Sequence, residues 1–118
     1  MSIRVDALMA KWFYELQSTW RKAARTVASV AKQLYPEAKV YVIGGAAEDR
    51  LTAISDLDIL IVLPWDPNPR ERLEIKKRIL LEAFEKGLPW DYPIDLHITG
   101  PKGLQQYQKH TKKMIEIK

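Results

Sequence analysis

The sequence contains no cysteine, which excludes disulfides and thiolate-held zinc as sources of stability. It also lacks any long hydrophobic run. The longest, Ile59 to Leu63, falls far short of the roughly 20 apolar residues that a membrane-spanning helix requires. The N-terminus has no apolar stretch of the secretory-signal kind, so the expected location is cytoplasmic and no membrane partner is expected. Acidic residues are outnumbered: 19 Lys and Arg against 15 Asp and Glu leave a net charge of +4, which favours polyanions without selecting among a triphosphate, RNA or an acidic protein. What is present is enough apolar material for one core, 47% of 118 residues, and too short a chain for two ordinary domains. A single domain over residues 1–118 is expected.

From Val5 to Leu34, apolar residues recur at three- and four-residue steps (Val5, Leu8, Met9, Trp12, Leu16, Trp20, Ala23, Val27, Val30, Leu34), the pattern of a long amphipathic helix or of two. One continuous helix of this length would run about 45 Å, more than a domain of this size is wide. A break near its middle, or a contact with another molecule, is therefore expected. Pro36 ends the segment. Lys39 to Ile43 reads as a strand running into Gly44-Gly45, and Leu57 to Leu63 as a strand covered on both faces and ended by Pro64. Asn68-Pro69-Arg70-Glu71 carries the signals of a helix start, and Gly87 those of its end. A third strand is read at Pro93 to Ile98, and a short helix at Leu104 to Lys109 in a polar, basic tail. These elements predict an α/β (α+β) fold: a small mixed sheet of three or four strands flanked by helices.

Asp56 and Asp58 stand at the start of the second strand, where alternation puts both carboxylates on one face with Cα atoms roughly 6.5 Å apart. Two like charges at the mouth of an apolar segment repel, and a hard divalent cation such as Mg²⁺ relieves that repulsion. Asp-x-Asp alone is more often a solvated strand end. The preceding diglycine shifts the balance, because glycine lets backbone amides approach a phosphate closely. Asp95 alternates with Ile94, Leu96 and Ile98, so it faces away from the core, and all three carboxylates converge if its strand lies beside that of Asp58. His97 shares the face of Asp95, where it would contact substrate or metal, or more commonly pair with a carboxylate. Arg50 is a candidate phosphate contact and Ser55 either a phosphate ligand or a turn cap. Trp65, Trp90 and Tyr92 could stack on a base but fit loop packing better, and Lys102, Lys109, Lys112 and Lys113 read as a solvated face that leaves RNA binding open.

The string Gly44-Gly45, ten residues, Asp56-Leu57-Asp58-Ile59, then Ile94-Asp95-Leu96, resembles the signature of the DNA polymerase β superfamily of nucleotidyltransferases, above all its minimal stand-alone members. The resemblance spans about Val40 to Ile98. It implies that Asp56, Asp58 and Asp95 are catalytic and bind Mg²⁺ (or Mn²⁺), and that Gly44, Gly45, Arg50 and Ser55 contact the nucleoside triphosphate, ATP in the expected reaction. The loop departs from the family pattern at Gly45, where many relatives have serine, and at Glu48 and Asp49, where an arginine and a glycine are common. Minimal members resemble antitoxins that act with a helical HEPN-type protein, which implies AMP transfer to a hydroxyl acceptor on such a partner. A homo-oligomer would equally use the long apolar stripe. The competing reading is a catalytically weak nucleotide-binding or protein-interaction module.

Overall fold

β-Branched and large aliphatic residues fill the three main strands, and their alternation decides which helices cover each face of the sheet. The computed structural model describes residues 2–52 and 55–118, with side chains from Arg4 onward. Along the chain it runs α1 (Ser2–Leu34), β1 (Lys39–Ile43), α2 (Gly44–Ala47), β2 (Leu57–Val62), α3 (Pro69–Glu85), β3 (Ile94–Thr99), α4 (Pro101–His110) and β4 (Ile115–Glu116). The strands form one mixed sheet in the order β3-β2-β1-β4. β2 is antiparallel to β1 and parallel to β3, with α3 as the crossover between the parallel pair. Among the described residues, no helix is long and apolar enough to cross a membrane.

One face of the sheet presents Val40, Val42, Leu57, Ile59, Ile61, Leu96 and Ile98 to the buried stripes of α1 and α3. On α1 that stripe is Leu16, Trp20, Ala23, Ala24, Val27 and Ala31; on α3 it is Ile75, Ile79 and Ala83. The other face carries a smaller cluster, Ile43, Leu60 and Val62, covered by Leu104 and Tyr107 of α4 and by Met114. α3 starts with the expected capping box: Glu71 N–H donates to Asn68 Oδ1 (2.8 Å) and Asn68 N–H to Glu71 Oε1 (3.0 Å).

Of the two alternatives expected for the N-terminal segment, a break or a contact with another molecule, the break does not occur. No glycine or proline lies between Ser2 and Leu34, so nothing interrupts the hydrogen-bond ladder. The consequence falls on packing instead. The sheet and α3 cover the C-terminal half of α1, whereas Val5, Leu8, Met9, Trp12 and Phe13 continue the same stripe with 37–56% of their surface exposed. The long axis of the molecule, 50 Å against 33 and 26 Å, reflects this helix.

Truncation in the two regions should therefore behave differently. Ile59→Ala empties fully buried volume and is expected to cost about 2–5 kcal/mol in urea unfolding, while Leu8→Ala should change monomer stability by less than about 1 kcal/mol. Equal losses would mean that the N-terminal half of α1 is packed inside the domain.

Candidate active site

Parallel pairing of β2 with β3 sets Leu57 against Ile94, Asp58 against Asp95 and Leu60 against His97. Asp58 and Asp95 are thus direct neighbours across two strands, on the face that α4 partly covers. They sit where the apolar cover stops, with side chains 31% and 44% exposed. His97, two residues further along β3 on that face, brings Nε2 to 3.3 Å from Asp58 Oδ1 and 3.4 Å from Asp95 Oδ2. Its ring meets Tyr107 of α4 edge-on, with centroids 6.1 Å apart. Burial, and then the charges of Asp95 and Asp58, push the Tyr107 phenol above its ordinary pKa, so it stays neutral beside the carboxylates. From α3, Lys76 Nζ reaches within 3.7 Å of Asp95 Oδ1.

Asp56 stands apart from this group. Pairing begins one residue later, where Leu57 N–H donates to Pro93 O (2.8 Å), and Asp56 is exposed in the loop that leads into the strand. The carboxylates that come together are Asp58 and Asp95, with His97 as third member.

β1 delivers the diglycine directly against Asp58, since its last residue, Ile43, pairs with Asp58. Gly44 has φ +69°, and a Cβ there would lie 2.6 Å from Asp58 Oδ2. Both facts require glycine. Gly45 has a milder environment, where an added Cβ would find ordinary contacts from 3.5 Å outward. The single turn of α2 follows, and Arg50 N–H donates back to Gly45 O (2.8 Å). The Arg50 side chain is engaged by Glu48, with Nε 3.0 Å from Oε1, and this hydrogen bond holds the Glu48 carboxyl below its usual pKa. Ser55 Oγ accepts from Thr52 N–H (2.9 Å), so its hydroxyl closes the turn ahead of β2.

These residues fit a divalent cation. Two carboxylates and an imidazole offer donor atoms that all lie within 4.8 Å of one another, and Gly44 keeps the space beside Asp58 clear. A groove of about 650 Å³ lies elsewhere, on the α1 side of the sheet, between Trp12, Leu16 and Thr19 of α1 and Leu88, Tyr92 and Pro93. Trp90 in the same loop is 83% exposed, Trp65 packs edge-on against Tyr35, and Tyr92 exchanges a 2.9 Å hydrogen bond with Thr19, so the last two aromatics have structural roles. The sequence reading did not single out Lys76 or Tyr107. Tyr107 had a legible signal, its three-residue spacing from Leu104 on α4.

Facing aspartates on a parallel strand pair, met by a glycine turn from an antiparallel neighbour, are thus the frame of this α/β domain. Residues 24–94 match the profile of the Nucleotidyltransferase domain, and the chain belongs to that family and is a nucleotidyltransferase. The matched region contains the diglycine, Asp56 and Asp58, and stops one residue before Asp95. A crystal structure of a proposed nucleotidyltransferase from Sulfolobus solfataricus superposes with a TM-score of 0.63 at 18% identity, covering 89% of this chain and 85% of that one. A second proposed nucleotidyltransferase gives 0.52 at 21% identity, covering 76% and 91%. At these identities the two structures support the fold, a four-stranded mixed sheet flanked by helices. No curated protein matches the chain.

The two glycines should separate in a mutational test. Gly44→Ala places a methyl group on Asp58 in a left-handed backbone, and is expected to lower stability by about 1–2 kcal/mol and divalent-cation affinity at least tenfold. Gly45→Ala should change both little. Melting curves and Mn²⁺ titration of the two variants check this, and indistinguishable variants would remove the close approach at Gly44 from the account.

Proposed function

We propose that the chain transfers a nucleoside monophosphate, AMP from ATP, to a hydroxyl acceptor on a helical partner protein, as the antitoxin of a HEPN-type pair. The observation that carries this reading is the opposition of Asp58 and Asp95 on adjacent parallel strands of a nucleotidyltransferase domain. In this reading Asp58, at the centre of the site, and Asp95, on the outer strand, hold divalent cations, and Asp56 adds its carboxylate from the adjoining loop. Bound Mg²⁺ or Mn²⁺ would neutralise triphosphate charge and make the acceptor hydroxyl easier to deprotonate. The acceptor oxygen bonds to the α-phosphorus, the bond from that phosphorus to the pyrophosphate oxygen breaks, and the hydroxyl proton leaves towards Asp95. Backbone amides after Gly44-Gly45 and the Ser55 hydroxyl line the triphosphate side. Arg50 contributes there only by leaving Glu48. That ion pair favours the second reading, a module that binds nucleotide and transfers it poorly.

With α-labelled ATP and the acceptor, Asp58→Asn and Asp95→Asn should each lower transfer at least 100-fold while melting near the wild-type temperature, and Asp95→Asn should keep more of the nucleotide binding. Full transfer by folded Asp58→Asn would refute the assignment. Metal-dependent ATP binding without transfer to any protein would favour the binding module.

Partner recognition falls to the uncovered half of α1. Its five exposed apolar side chains present on the order of 400 Å² of apolar surface, taking about 150–250 Å² for a whole large side chain, about half of the roughly 800 Å² per partner of a standard interface. A helix laid into the groove beside Trp12 would bury it. Wild-type chain co-expressed with a HEPN-type protein should co-elute with it, and Trp12→Glu should not. A concentration-dependent dimer that Trp12→Glu abolishes would assign this face to a second copy instead.

A further inference from the structure

We propose that His97 is a direct ligand of the catalytic cation, so that the site selects a transition-metal ion such as Mn²⁺ or Co²⁺ over Mg²⁺; this rests on the nucleotidyl-transfer reading of the same carboxylates. His97 Nε2 approaches both aspartates, 3.3 Å from Asp58 Oδ1 and 3.4 Å from Asp95 Oδ2. Donor atoms in adjacent positions on an octahedral ion, each about 2.1–2.2 Å from it, are separated by roughly 3.0–3.1 Å. The imidazole nitrogen is already within a few tenths of an ångström of that spacing from each carboxylate, and all three donors lie within 4.8 Å of one another.

Strand register enforces the placement. Asp95 and His97 alternate to the same face of β3, and pairing with β2 puts Asp58 level with Asp95, so the imidazole leaning back along its strand meets both carboxylates. Tyr107 braces the ring from α4, and the imidazole is 31% exposed, open enough to exchange its contacts for an ion. The donor set then decides the metal. Mg²⁺ takes oxygen ligands and retains water, whereas imidazole suits borderline ions, and affinities for a nitrogen-containing site rise from Mn²⁺ to Co²⁺ and beyond. A purely structural His97, serving only to bridge two aspartates in the metal-free protein, would leave that preference to the carboxylates.

Pulsed EPR of the full chain with bound Mn²⁺ separates these outcomes, because a directly bound imidazole imposes a ¹⁴N modulation on the electron spin echo. The modulation is expected in the wild type, should change to that of ¹⁵N when the protein is grown on ¹⁵N-histidine, should vanish in His97→Gln and should persist in His110→Gln. In parallel titrations, His97→Gln should lower the Mn²⁺-to-Mg²⁺ affinity ratio tenfold or more. Bound Mn²⁺ without nitrogen modulation, or modulation that survives His97→Gln, overturns the inference while leaving the transferase reading intact. Failure of wild-type protein to bind either cation, or retention of Mn²⁺ by Asp58→Asn, overturns both.

Discussion

Everything at the candidate site depends on two aspartates being held level with each other across a parallel strand pair. Neighbouring strands lie about 4.8 Å apart, and at an effective dielectric near 20 two unit charges at that separation repel by roughly 3 kcal/mol. The register survives because it also buries Leu57, Ile59 and Ile61 of β2 beside Leu96 and Ile98 of β3, at about 1.5–3 kcal/mol for each side chain. A one-residue slip would turn that set to the other face. Packing therefore fixes the carboxylates, Lys76 brings a positive charge within 3.7 Å of Asp95, and His97 lies within hydrogen-bond reach of Asp58. The apolar face of the sheet stabilises a repulsion that the polar face uses.

How much of this is legible in the sequence depends on whether a feature is local. The start of α3 is local: Asn68, Pro69 and Glu71 specify it within four residues, and the capping box forms as expected. The three main strands are local too, because each alternates or runs apolar between breakers. β4 is not, since Ile115–Glu116 becomes a strand only by pairing with Tyr41 and Val42. The same distinction divides the site. Alternation alone puts His97 on the face of Asp95, but its approach to Asp58 requires the parallel neighbour. Lys76 reads as one of many basic residues on α3 until the helix packs along β3 and aims it at Asp95. Asp56 shows the reverse: alternation places it with Asp58 only if the strand reaches that far back, and pairing begins at Leu57.

α1 illustrates a conflict between sequence continuity and tertiary extent. Its apolar stripe runs through both halves without a Gly or Pro, so helix formation has no reason to stop, yet the sheet it covers is only half as long as the helix. A stripe that outlasts its own core is stable as a helix because the buried half anchors it, while the side chains of the other half stay 37–56% exposed. The aromatic content there, Trp12 and Phe13, is what interface cores are enriched in. The candidate site and α1 thus lie on opposite faces of one thin sheet, and the loop at 87–93 borders the α1 groove and leads into β3 just before Asp95.

The glycine turn carries the remaining tension. Gly44 is demanded by geometry, since its backbone is left-handed and Asp58 fills the space of a side chain. The turn beyond it holds Glu48 and Asp49, acidic residues on the side where a triphosphate would lie, and its arginine is tied to the first of them. The Arg50 side chain is 62% exposed, so a triphosphate in the proposed site would reach it in competition with Glu48. The cation that the proposed transfer needs would thus have to reconcile two acidic neighbours of the phosphates, the facing carboxylates of Asp58 and Asp95 on one side and the Glu48-Asp49 turn on the other.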